Sequence, residues 1–120
     1  MKESISLSIF DIVGSGLCIA SDDGQKVHDA IAAGLRAGNR VGLSFRNLEA
    51  LTSAFLNVAV GQLYGEFSEE QIKSMLSVTD GSPDDLFLLK RVVERSKEFF
   101  KDPDRFHAAA KEVLGDDDGP

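Results

Sequence analysis

The chain has 120 residues, of which 42% are hydrophobic and 28% charged, and a net charge of −7. Those proportions fit one soluble globular domain that buries its own core, and they exclude the disordered and membrane classes. The acidic balance excludes the basic face that nucleic-acid binding needs. A single cysteine, Cys18, excludes an internal disulfide and fits a reducing cytoplasm.

Ile5, Leu7 and Ile9 alternate with Ser4, Ser6 and Ser8, which predicts a strand with one wet face, and Phe10–Val13 prolongs or bends it. Gly14-Ser-Gly16 breaks the pattern before a second apolar run, Leu17–Ala20, and the glycine turn favours a hairpin between the two. Ser21-Asp-Asp-Gly24 is a helix-start signal with Ser21 as N-cap. Val27, Ala30, Ile31 and Leu35 recur at helical spacing until Gly38-Asn39. Arg40–Phe45 is apolar without strict alternation, as expected of a central strand, and strand–helix–strand order predicts a parallel right-handed crossover.

Thr52 or Ser53 opens the next helix, with Phe55, Leu56, Ala59, Val60 and Leu63 on its apolar face. The run from Leu51 to Gly65 is uncharged, yet too short and too polar to span a bilayer, and the N-terminus has no signal-peptide pattern. A cytoplasmic protein without membrane contact is expected. Ser68-Glu-Glu-Gln71 is a capping box, and Leu76–Thr79 reads as a further strand. After the turn Asp80–Pro83, Leu86, Leu89, Val92, Val93, Ser96 and Phe100 mark one side of a long helix. Asp104–Leu114 reads as a last helix. Residues 1–115 thus form one domain, with 116–120 a disordered acidic tail.

Few residues carry candidate chemistry. His28 and His107 have no partner at metal-ligand spacing and read as exposed surface histidines. Cys18 reads as a buried small hydrophobe. Gly14-Ser-Gly16 lacks the rest of any phosphate-binding motif and reads as a turn. The acid pairs Asp22/Asp23, Glu69/Glu70 and Asp84/Asp85 fall in first turns, where the helix dipole accounts for them. The expectation is a protein that is not an enzyme and needs no metal or cofactor. Thr52-Ser53 reads two ways, as an N-cap hydroxyl or as a site for phosphate at a helix start.

Ser21-Asp-Asp-Gly24-Gln-Lys-Val27, Val41-Gly-Leu-Ser-Phe45, Leu51-Thr-Ser-Ala-Phe-Leu-Asn57 and Gly61-Gln-Leu-Tyr64 together resemble the bacterial STAS-like domain family of unassigned function. That family is similar to the STAS fold of anti-sigma-factor antagonists, and the resemblance covers most of residues 5–79. It implies an α/β fold, a small mixed β-sheet of about four strands covered by helices. It also implies a regulatory role. STAS antagonists bind a histidine-kinase-like ATPase that phosphorylates the second serine of an Asp-Ser-Ser-Gly segment at this helix start. On this chain Thr52 falls at the aspartate, Ser53 at the first serine, Ala54 at the acceptor and Phe55 at the glycine. With alanine at the acceptor position, Ser53 or Thr52 is left to substitute, and Ser53 is the candidate phosphoacceptor.

The expected function is a non-catalytic regulatory domain binding a protein partner, of the kinase-like ATPase or anti-sigma kind, through Arg46, Asn47, Glu49, Thr52, Ser53 and Asn57. The alternative is a nucleotide or small-anion domain using the helix N-terminus at Thr52-Ser53, with the Asp22-Asp23 turn nearby. Phe87, Phe99 and Phe100 spread beyond one narrow stripe, which leaves homodimerisation open.

Overall fold

The computed structural model of the chain describes residues 3–101. The helix expected over Asp104–Leu114, His107 and the acidic tail lie outside them. Ser4–Ser8 forms strand β1, as its alternation predicts, and the chain then turns directly into helix α1, Ile9–Val13, instead of prolonging the strand. The cause is local. Ser8 Oγ accepts the Asp11 N–H, Asp11 faces the positive helix end, and Gly14 closes the helix at φ +85°.

The expected hairpin does not form, because α1 takes up the residues between β1 and the glycine turn, so no strand runs into that turn. Strand β2, Leu17–Cys18, pairs instead in parallel with β4, Ala50–Leu51. Helix α2 runs Ser21–Arg36 and buries Val27, Ile31 and Leu35. Ser21 is its first helical residue and not its N-cap; extended Ala20 holds that place without a side-chain bond. Gly38, at φ +82°, allows the chain to leave α2.

Strand β3, Arg40–Ser44, is central, as its unbroken apolar run predicts. It lies between β1 and β5, Leu76–Thr79, and both pairings are parallel. The α/β class therefore holds, but among the described residues the strands divide between a three-stranded and a two-stranded parallel sheet in place of a single mixed sheet of four. Each crossover passes through helices that return the chain in one direction. Ile5, Leu7, Val41, Leu43, Leu76 and Val78 join the core, while Ser6, Gly42, Ser77 and Thr79 alternate to the other side.

Helix α3, Ser53–Ala59, leads into a 3-10 turn at Gly61–Gly65 and then α4, Glu69–Met75. Phe55, Leu56 and Leu63 are fully buried, each worth about 1.5–3 kcal/mol. A Cβ on Gly24 would stand 2.7 Å from the Phe55 carbonyl, so α2 and α3 meet closely at their first turns. Helix α5, Pro83–Lys101, turns Leu89, Val92 and Ser96 inward. Leu86 and Phe100, expected on that inner stripe, are exposed: Leu86 lies over Gly81, and Phe100 packs on Gly65 and edge-on against Phe99.

Candidate functional site

The carboxyl ends of β3 and β5 are bound together by polar side chains. Ser44 Oγ donates to Asp80 Oδ2 at 2.8 Å, Thr79 Oγ1 donates to the same oxygen at 3.3 Å, and Arg46 Nε stands 4.0 Å from it. Ser44 Oγ also accepts the Arg46 N–H at 3.2 Å. Asn47 and Asp80 have positive φ, 65° and 61°, a conformation these two residue types tolerate best after glycine. Asp80 thus fixes the start of the loop that the sequence marks from Arg46 to Leu51.

The far end of that loop is fixed by β2. The N–H groups of Glu49 and Ala50 both donate to the Gly16 carbonyl, at 2.8 and 3.1 Å. A Cβ on Gly16 would come within 2.5 Å of the Asn47 carbonyl, so this approach requires glycine. Thr52 caps α3: its Oγ1 accepts the Phe55 N–H at 3.1 Å and donates to the Ile19 carbonyl, also at 3.1 Å. Its N–H reaches the Cys18 carbonyl.

Of the residues singled out from sequence, Arg46, Asn47 and Glu49 share one loop and are all exposed, and Ser53 is exposed at the first position of α3. Thr52 is half-buried and its hydroxyl is already engaged. Asn57 is exposed one turn on, but lines a separate groove of about 590 Å³ with Gly61, Gln62, Arg95 and Ser96. Sequence reasoning missed Ser44 and Asp80; the Asp80-Gly81 pair directly after a strand was the available signal. It also missed Leu17 and Ile19, which flank buried Cys18 and are 53% and 51% exposed beside the loop. Their alternation about Cys18 signalled a strand with one open face.

The chain matches a family described as a STAS-like domain of unknown function (DUF4325) over residues 23–86. It belongs to that family. The match runs from the first turn of α2 into the first turn of α5, so β1, α1 and β2 lie outside it. No curated protein and no solved structure gives a significant match.

Two further groups of this STAS-like domain bear on chemistry. His28, expected at the surface, is buried, with only 6% exposure. Its Nε2 lies 2.8 Å from Glu66 Oε2, its Nδ1 3.0 Å from Asp29 Oδ1, and Arg36 holds the other Glu66 oxygen at 3.1 Å. Glu66 follows the 3-10 turn, far along the chain, which is why spacing gave no hint of it. The His28 hydrogen bond, then that of Gln25, holds the Asp29 carboxyl below its ordinary range. Cys18 is buried as expected, and burial, then the charges of Asp23 and Asp85, push its thiol up to about 11. No described helix is long and apolar enough to cross a membrane. Among the described residues, no cluster of three or more His, Cys, Asp or Glu side chains is placed to hold a metal ion.

Proposed function

We propose that this STAS-like domain is a non-catalytic cytosolic regulatory module that docks a protein partner on the rim formed by Leu17, Ile19, Arg46, Asn47, Glu49 and Ser53. The exposure of Leu17 and Ile19 carries the reading. Two large aliphatic side chains more than half open, beside a loop held by its own hydrogen bonds and bearing both charge signs, have the make-up of an interface: apolar anchors within a polar rim. The loop is fixed at both ends, by Asp80 and by the Gly16 carbonyl, so little conformational freedom would be lost on docking. A histidine-kinase-like ATPase is the partner class implied by the resemblance to STAS antagonists. Ser53, exposed at the helix start, is the rim hydroxyl open to phosphorylation, which would add about −1.5 to −2 charges there.

Affinity capture from the source cells tests the reading with three forms of the protein: wild type, Leu17→Asp/Ile19→Asp, and Ser77→Asp on the opposite sheet face. The expected outcome is a discrete partner retained by wild type and Ser77→Asp and reduced at least about tenfold by the double variant, the usual scale for loss of interface anchors. Equal recovery with all three would remove the rim from consideration.

A further inference from the structure

Three stretches of chain converge on the rim: residues 16–26, 44–53 and 80–86. The first two are joined by the β2–β4 pairing and by the bond from the Thr52 hydroxyl to the Ile19 carbonyl. The last two are joined at Asp80, which accepts from Ser44 and faces Arg46. The first and last also come close. Burial, then the charges of Asp23 and Asp85, raises the thiol of Cys18, the residue between Leu17 and Ile19.

This neighbourhood is acidic. The three stretches carry Asp22, Asp23, Glu49, Asp80, Asp84 and Asp85, and against them only Lys26 and Arg46. Both cations are already engaged, Lys26 at 3.5 Å from Asp23 and Arg46 at 4.0 Å from Asp80. The helix starts of α2, α3 and α5 each offset about half a charge, which leaves the balance negative. Asp22, Glu49 and Asp84 are exposed and make no ion pair among the described residues. Glu49 lies over Gly16, with its Cγ 3.2 Å from where a Cβ would stand, and so beside Leu17. Asp22 follows Ile19 by three residues, in the first turn of α2. Surplus carboxylates therefore border both open aliphatic side chains. Their charge repels nucleic acid, an anionic membrane surface and a second copy of the same rim.

We propose that the rim receives a basic amphipathic segment of its protein partner, with large apolar side chains on Leu17 and Ile19 and Lys or Arg side chains paired to Asp22 and Glu49. This rests on the docking reading above and adds the chemistry of the occupant. Apolar contact supplies affinity, while the unpaired carboxylates speed encounter and reject acidic sequences.

Selection of short random displayed peptides on the full chain, followed by calorimetry of the chosen peptides, tests the assignment. The expected binders combine Lys or Arg with Leu, Ile or Phe and carry a net positive charge. Leu17→Ser/Ile19→Ser should weaken them at least about tenfold, the scale for loss of interface anchors. Asp22→Asn/Glu49→Gln should weaken them about fivefold, the scale of two exposed ion pairs, and both variants should keep the wild-type circular dichroism. Peptides that are lost on Leu17→Ser/Ile19→Ser, yet are acidic or neutral or bind Asp22→Asn/Glu49→Gln unchanged, would overturn the basic occupant and leave the docking rim standing. A selection yielding no peptide sensitive to Leu17→Ser/Ile19→Ser would remove the rim itself and the inference with it.

Discussion

His28 sits between Val27 and Asp29 on α2, and its burial depends on Glu66, 38 residues further along the chain. The contact with Asp29 favours that residue's charged form, so its folded-state pKa lies below the ordinary carboxylate value. The linked stability is present above the unfolded-state pKa and is lost as pH falls through the folded-state value. In a His28→Ala variant the Asp29 titration midpoint, followed by carboxyl NMR, should move up toward the ordinary value; an unmoved midpoint would count against the contact. Cys18 shows the opposite sign. Its thiol, pushed from 9.0 to about 11, keeps its proton in the fold, so the linked stability is complete below pH 9.0 and is lost as pH rises toward 11. Alkylation of Cys18 at neutral pH should therefore be negligible in the native protein and rapid in denaturant, as mass spectrometry would report.

Between elements, the decisive contacts are those that local patterning does not carry. The alternation of β1, the period of α2, the Ser68 cap of α4 and the strand at Leu76–Thr79 were legible because each is written within a few neighbouring residues. The partner of β2 was not, since a two-residue strand has no register of its own and takes the one offered by Ala50–Leu51. The helix start at Thr52-Ser53 was legible as a pair, but the division of labour within it was not. Thr52 does the capping and ties α3 to Ile19, while Ser53 is exposed. Thr52→Ala should accordingly cost about 1 kcal/mol or somewhat more in denaturant unfolding, and Ser53→Ala should stay within about 0.5 kcal/mol. Equal costs would contradict that division.

Across the described residues, the helices cover one face of the three-stranded sheet, and the small residues Ser6, Gly42, Ser77 and Thr79 alternate to the other. The helix start of α3, the strand ends of β3 and β5 and the short strand β2 frame the same loop, which is how residues distant in sequence, Leu17, Ile19, Arg46 and Ser53, share one rim. The loop itself could be read from the sequence. Its apolar flank could not, because exposure of Leu17 and Ile19 follows from the β2–β4 pairing. Site-specific photo-crosslinking in the source cells tests the docking rim most directly, with the photoreactive side chain placed at Ile19 or, as a control, at Ser77. A discrete protein adduct from Ile19 and none from Ser77 is the predicted result; no adduct at Ile19, or the same adducts from both positions, would contradict it.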